Sequence, residues 1–293
     1  MKSGTVGVIG RANAGKSTLI NVLVGEKVAI VSPKPQTTRD RILGVKNGDG
    51  YQMVFVDTPG LYRAKNLLNA VMQKTAEDAA KDVDVILFVI DAHEGLSDAD
   101  KQLAEKFSAL GKPFALVLSK TDVMPETLLI DEMKEFKNAK FPIVPVSARR
   151  GKNINELIKV VVSLLPEGER LFGDDVISDK SEKFMIAEIM REKILLKTDK
   201  EIPHGVTVIV NTFKRTDGGV YEINLDIICE KPNHKAIIIG KGGKKIKEIS
   251  TYARQDMEKF LDAKVFLTTY VKVEEDWRSQ ASLIKRFGFN EEG

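Results

Sequence analysis

An α/β fold built on a mainly parallel sheet, followed by a smaller α+β unit, is predicted by three features. Strands and helices alternate up to residue 165, the strands read as unbroken apolar runs, and the element order changes after residue 181. The strand candidates are Thr5–Gly10, Gln52–Val56, Val85–Asp91, Phe114–Ser119 and Ile143–Ser147. Helical stretches fill most gaps between them, as in Lys16–Val24, Asp98–Leu110 and Asn153–Leu165. Val85-Ile86-Leu87-Phe88-Val89-Ile90 is apolar throughout, as expected of a strand buried on both faces by crossover helices.

Pro166 to Ser181 breaks the alternation with Pro166, Gly168, Gly173 and a high share of Asp and Glu, and is read as a linker. The division expected is a first domain at 1–168, a linker at 169–181 and a second domain at 182–293. Glu182–Lys197 places Phe184, Ala187, Met190 and Ile194 on one helical face. Val206–Phe213 and Val220–Cys229 read as a hairpin across Thr216-Asp217-Gly218-Gly219, since Asp-Gly favours the tight turns that match strand twist. A short apolar segment, Ala236–Ile239, the glycine cluster Gly240–Gly243, a helix near Lys244–Leu261 and a strand, Lys264–Val273, complete the order helix, strand, strand, helix, helix, strand.

The 293 residues suffice for two domains of ordinary size. The longest strongly apolar run, Val83–Ile90, is short and interrupted by Asp84, whereas a membrane helix needs about 20 apolar residues. Met1 leads almost directly into a strand, so no signal peptide is expected. Cys229 is the only cysteine, which excludes an internal disulfide, and its apolar setting predicts a buried small hydrophobe. These features favour the cytoplasm. His93, His204 and His234 lack zinc spacing, and Trp277 is expected to anchor a C-terminal helix. Net charge is only +3, yet Lys231, Lys235, Lys241, Lys244, Lys245 and Lys247 occur with no acidic residue between them. They form a local basic patch; such a run by itself is more often a solvated face than a nucleic-acid footprint, and its context decides.

Gly10-Arg11-Ala12-Asn13-Ala14-Gly15-Lys16-Ser17 matches the phosphate-loop pattern, follows a strand and opens a helix. Backbone N–H groups wrap the phosphates, Lys16 supplies charge to the β and γ phosphates, and Ser17 offers a hydroxyl to magnesium. Asp57-Thr58-Pro59-Gly60, at a strand end, supplies a carboxylate that reaches the metal through water and an amide for the γ phosphate. Thr37 and Thr38 lie in the polar segment Ser32–Arg41 between these motifs, where a phosphate sensor belongs. Ser119-Lys120-Thr121-Asp122 follows a buried strand; the Asp122 carboxylate can accept from the guanine N1 and N2 groups, which adenine cannot offer. Ser147-Ala148 could direct backbone N–H groups to the guanine O6.

The ordered set GRANAGKS, QTTRD, DTPG, SKTD and SAR resembles the translation-factor-related GTPases, and the second half resembles a KH domain of the bacterial (type II) arrangement. Together with FMIAEIMREKIL at 184–195, IIIGKGGKKIKEI at 237–249, Val271-Lys272-Val273 and Asp276-Trp277-Arg278, the chain resembles the Era family along nearly its whole length. The resemblance implies GTP-dependent assistance in small ribosomal subunit assembly and binding near the end of the small-subunit ribosomal RNA.

It also implies roles by position. Nucleotide binding falls to Asn13, Ala14, Gly15, Lys16, Ser17, Thr18, Ser119, Lys120, Asp122, Ser147 and Ala148. Magnesium falls to Ser17, Thr38 and Asp57, and catalysis to Lys16, Thr38 and Gly60. RNA falls to Ile239, Gly240, Lys241, Gly242, Gly243, Lys244 and Lys245, where a GxxG loop clamps the backbone beside an apolar groove. Three departures stand out: Ser119 where Asn usually opens the base motif, Ala12 and Ala14 where Pro and Val are common, and Leu61 where signalling GTPases carry a water-orienting glutamine. Asn13 stands where potassium-activated relatives place a cation ligand, which leaves potassium open as a second cofactor. The resemblance further implies GTP or GDP, ribosomal RNA and the small subunit as partners, a monomer, and a cytoplasmic location, with peripheral association at the inner face of the membrane left open. A second reading, an RNA-binding module in which nucleotide is mainly structural, also stays open; an ATP-using kinase conflicts with Asp122.

Overall fold

A computed structural model describes residues 1–61, 66–198 and 205–289; His204 lies outside them. The first part contains β1 (Lys2–Gly10), α1 (Lys16–Val24), β2 (Ile42–Gly48), β3 (Tyr51–Asp57), α2 (Leu67–Asp82), β4 (Val85–Asp91), α3 (Asp98–Ser108), β5 (Phe114–Ser119), α4 (Glu126–Glu135), β6 (Ile143–Pro145) and α5 (Ile154–Leu164). The six strands lie in the order β2-β3-β1-β4-β5-β6. All pairs are parallel except β2 with β3, which is antiparallel.

The apolar runs bury both faces because side chains alternate along a strand. In β4, Val85, Leu87 and Val89 join α1 and α5 residues such as Leu19, Leu23, Leu157 and Val161 in one core. Ile86, Phe88 and Ile90 pack instead with Ala76, Ala79 and Ala80 of α2 and Ala104 and Phe107 of α3. β2, α2 and α4 add to the elements expected by name. Ile42–Gly48 mixes Gly, Lys and Asn with its apolar residues, as an edge strand can.

The second part contains α6 (Glu182–Lys197), β7 (Val206–Arg215), β8 (Tyr221–Cys229), α7 (Pro232–Ile239), α8 (Lys244–Leu261), β9 (Val265–Val273) and α9 (Ala281–Arg286). β8 pairs antiparallel with β7 and parallel with β9. α6, α7 and α8 cover one face, with Ile189, Ile194, Ile238, Ile249 and Met257 against Ile223, Leu225, Ile227 and Cys229.

The segment expected to be a linker is fastened to the first sheet. The Val45 N–H donates to Ile177 O (2.8 Å), Leu43 N–H to Asp179 Oδ1 (2.8 Å), and Gln52 Nε2 to Phe172 O (2.9 Å). The two parts also share a core, in which Leu68 and Met72 of α2 pack with Ile228, Trp277, Ile284 and Phe289. Trp277 is fully buried, donates from Nε1 to Gly205 O (3.0 Å), and lies 5.7 Å beneath the Arg39 guanidinium. It therefore anchors α9 as expected, and the first domain as well. Trp277→Ala should cost about 3–5 kcal/mol, measured by urea unfolding; a loss below about 1 kcal/mol would show that the shared core contributes little.

Candidate functional site

The loop from Gly10 to Gly15 joins β1 to α1 under unusual backbone demands. Asn13 has φ 64° and Gly15 φ 90°, and α1 begins with no side-chain cap, so its first N–H groups face the cleft. Lys16 is buried, with Nζ 3.1 Å from Gly10 O and 2.9 Å from Arg11 O. Burial lowers its pKa to about 8, against the opposing pull of Asp57. A charge so poorly solvated is available to a phosphate. Asn13, Gly15, Lys16, Ser17, Thr18, Thr38 and Gly60 line one cleft of ≈ 420 Å³.

Three oxygen-bearing side chains, those of Ser17, Thr38 and Asp57, meet beside Lys16. Ser17 Oγ is 2.7 Å from Asp57 Oδ2 and 2.8 Å from Thr38 Oγ1, and Thr38 Oγ1 is 3.3 Å from Asp57 Oδ2. Asp57 Oδ1 is buried without a hydrogen-bond partner among the described residues. Burial raises the Asp57 pKa, opposed by Ser17 and Lys16. Two hydroxyls and an under-satisfied buried carboxylate suit a small hard cation such as magnesium. The neighbouring threonine is turned elsewhere: Thr37 Oγ1 lies 2.7 Å from Ser32 Oγ and 2.6 Å from Lys34 O.

A second hollow, ≈ 290 Å³, adjoins the first and is lined by Gly15, Thr18, Ser119, Lys120, Asp122 and Ala148. Asp122 Oδ1 accepts from Ser147 Oγ at 2.6 Å, which holds the carboxyl below its usual pKa and keeps it ionised. Ser119 Oγ lies 2.6 Å from Ala14 O and 3.0 Å from Ile90 O, so the residue that departs from the usual Asn still ties the base loop to the phosphate loop. A hydroxyl has one proton, so only one of these carbonyls receives it at a time. Lys120, at φ 59°, pairs with Asp91 at 2.5 Å. The Ser147 backbone N–H is already engaged with Lys152 O (3.2 Å), so of the two amides expected at the guanine O6 that of Ser147 is committed elsewhere.

Gly60 closes against the phosphate loop, where an added Cβ would lie 2.6 Å from Ala12 Cα. The Leu61 N–H donates to Gly10 O (3.0 Å), and its side chain is buried in the core with α2.

The glycine cluster lies in the second part, apart from this cleft. Gly240, Gly242 and Gly243 have φ 71°, 59° and 74°. Gly243 is the N-cap of α8 and supplies no side-chain cap; the Lys244 N–H donates to Lys241 O, and exposed Lys241 and Lys244 flank half-buried Lys245. Ile238 fills the core, Ile239 is half-buried, and Ile237 is 51% exposed on the same short helix. Among the described residues no cluster of His, Cys, Asp and Glu could hold a metal. Sequence reasoning missed Asp91, visible in principle as an acidic strand end. It also missed Leu196 of α6, which lines the nucleotide cleft from the other domain and carries no local signal.

Comparison with known proteins agrees with this geometry. Residues 5–120 match the family model described as 50S ribosome-binding GTPase, and residues 201–278 match KH domain. Proteins named GTPase Era from Clostridium kluyveri and Alkaliphilus metalliredigens are 44% and 45% identical, each over at least 98% of both chains. A crystal structure of Era in complex with MgGDPNP and nucleotides 1506–1542 of 16S ribosomal RNA superposes with TM-score 0.94 at 41% identity over 99% of both chains. A point variant of Aquifex aeolicus Era bound to GDP and aluminium fluoride superposes with TM-score 0.93 at 41% identity, again over 99% of both.

Proposed function

Since the chain belongs to the Era family of GTPases, we propose that GTP hydrolysis in its first domain governs the binding of small-subunit ribosomal RNA by its KH domain, in the service of small-subunit assembly. The observation that carries this reading is the meeting of Ser17, Thr38 and Asp57 beside Lys16, in one chain with a lysine-flanked GxxG loop. Lys16 and the amides of Asn13 and of Gly15 to Thr18 hold the phosphates, the Ala14 N–H donating instead to Arg11 O at 3.3 Å, and the Gly60 amide takes the γ phosphate. Ser17 and Thr38, with Asp57 acting through water, would hold magnesium, which would supply positive charge to the phosphates. Asp122 reads guanine, fixed by Ser147, with Lys120 and Ser119 ordering the base loop and Ala148 offering its amide.

Lys241, Lys244 and Lys245 neutralise RNA phosphates, while Gly240, Gly242 and Gly243 let the backbone approach and Ile239 borders the bases. The reading places the protein in the cytoplasm as a monomer. Peripheral membrane contact rests on the resemblance alone; among the described residues no helix is long and apolar enough to cross a membrane.

Titrating a 16S 3′-end fragment against the GTP-analogue and GDP forms tests this function. Affinity should differ between the two forms, and RNA should change the steady-state hydrolysis rate. Equal affinities with an unchanged rate would favour the module in which nucleotide is structural.

Buried Leu61 brings no polar group to the reaction, and this reading gives Asn13, which lines the cleft, the task of recruiting a cation. Its Nδ2 donates to Pro33 O at 2.9 Å. With the amide reversed, Asn13 Oδ1 and Pro33 O present two oxygens to a potassium ion beside the phosphates. Hydrolysis in potassium buffer should be roughly tenfold faster than in sodium; equal rates would remove potassium from the mechanism.

A further inference from the structure

The segment from Val31 to Arg41, which carries Thr38, has no ladder or helix to hold it, and Gln36 within it sits at φ 63°. Ser32, Lys34 and Thr37 bond to one another within it, and one face of α6 in the RNA-binding domain holds it from outside. Glu192 Oε1 accepts the Val31 N–H at 2.9 Å, and Glu192 Oε2 pairs with Lys27 at 2.8 Å. A turn away, Glu188 grips the Arg191 guanidinium through both oxygens, at 2.6 Å to Nε and 2.5 Å to Nη2. Arg191 thus aimed donates to the Thr37 carbonyl, with Nη1 3.5 Å from Gln36 O. The Arg191 side chain is 2% exposed, so these charge-assisted bonds form away from water.

We propose that Arg191 is a positioning residue for the GTP state: by fixing the peptide between Thr37 and Thr38, it turns the Thr38 hydroxyl toward Ser17 and Asp57. Arg39, on the other side of Thr38, donates from Nη1 to Val206 O at 2.8 Å and lies over Trp277. Two arginine contacts therefore bracket the threonine, one reaching in from the RNA-binding domain and one reaching out to it. The consequence is selective. A switch segment is held by the γ phosphate and magnesium and is released after hydrolysis, so GDP does not need Thr38 in place. Arg191 should accordingly favour GTP over GDP and support the hydrolytic rate, with no contact to the nucleotide itself. The inference rests on the GTPase reading above.

The test uses the full chain with Arg191→Lys, which keeps the charge but loses the planar fork. It also uses the double variant Arg191→Leu with Glu188→Gln, which removes both members of the buried pair, so that nearby Asp40 loses a repelling carboxylate along with an attracting guanidinium and keeps Arg39 and Lys180. Binding of GDP and of a non-hydrolysable GTP analogue is titrated at several magnesium concentrations, beside a melting curve. Analogue affinity should fall roughly 10- to 100-fold, the magnesium needed for its binding should rise, and GDP affinity should stay near parental. Loss of affinity for both nucleotides in equal measure, or for neither in a folded variant, would overturn the assignment. Failure of the unmodified protein to bind either nucleotide would overturn the GTPase reading itself.

Discussion

Asp122→Asn should convert a guanine site into a xanthine site, with GTP affinity falling by roughly two to four orders of magnitude. Asp122 Oδ1 is already committed to the Ser147 hydroxyl at 2.6 Å. An asparagine will keep its carbonyl oxygen on that hydroxyl, since only oxygen can accept there, and will turn its NH₂ toward the base. The amide then meets the guanine N2 amine donor to donor, and both groups lose their partners in the hollow. Xanthosine triphosphate carries an oxygen at that edge and should bind the variant better than GTP does. Equilibrium titration of both nucleotides against parent and variant decides the matter; parental GTP affinity in the variant would reject the guanine assignment. Because the exchange is nearly isosteric at an exposed loop position, the melting temperature should stay near parental.

The second large effect is expected in the RNA-binding domain. Replacing Lys241 and Gly242 together by Asp should reduce RNA affinity on the order of a hundredfold at moderate salt, while GTP affinity stays near parental. The backbone explains why this pair and not another. Gly242 is left-handed at φ 59°, but nothing lies within 4 Å of an added Cβ, and Asp tolerates that conformation better than most residues. Gly240 is different: its Cβ would lie 2.5 Å from Lys245 Cβ, so a side chain there breaks the loop instead of recharging it. Lys16→Ala is the complementary variant, removing the buried cation of the phosphate site without touching the loop. Filter binding with a 16S 3′ fragment, beside GTP titration, separates the two. Unchanged RNA binding by the folded Asp pair would reject the RNA role of this loop.

The sheet and its helices could be read from sequence because burial on both faces leaves unbroken apolar runs such as Val85–Ile90. β2 escaped because an edge strand need not be apolar. The turn after it held the missed signal: Asp49-Gly50 joins β2 to β3, with Gly50 at φ 73°, and Asp-Gly between strands favours a hairpin. α4 was faint because none of its residues is fully buried. The candidate nucleotide site was legible because its chemistry is local: every motif except the one carrying Thr38 follows the end of a strand and carries its own spacing. Arg191 and Leu196 had no such mark. They meet the nucleotide domain only after both halves have folded, and within α6 they read as ordinary members of an amphipathic stretch.

The chain between the domains bears on solubility as well as on linkage. β2 is the outer strand of the first sheet, and its free side would offer unpaired amides and carbonyls to any passing strand. Ile177, Ser178 and Asp179 occupy that side. A first domain cut at residue 168 would therefore carry a bare strand edge and should self-associate, whereas one extended through Lys180 should remain dispersed.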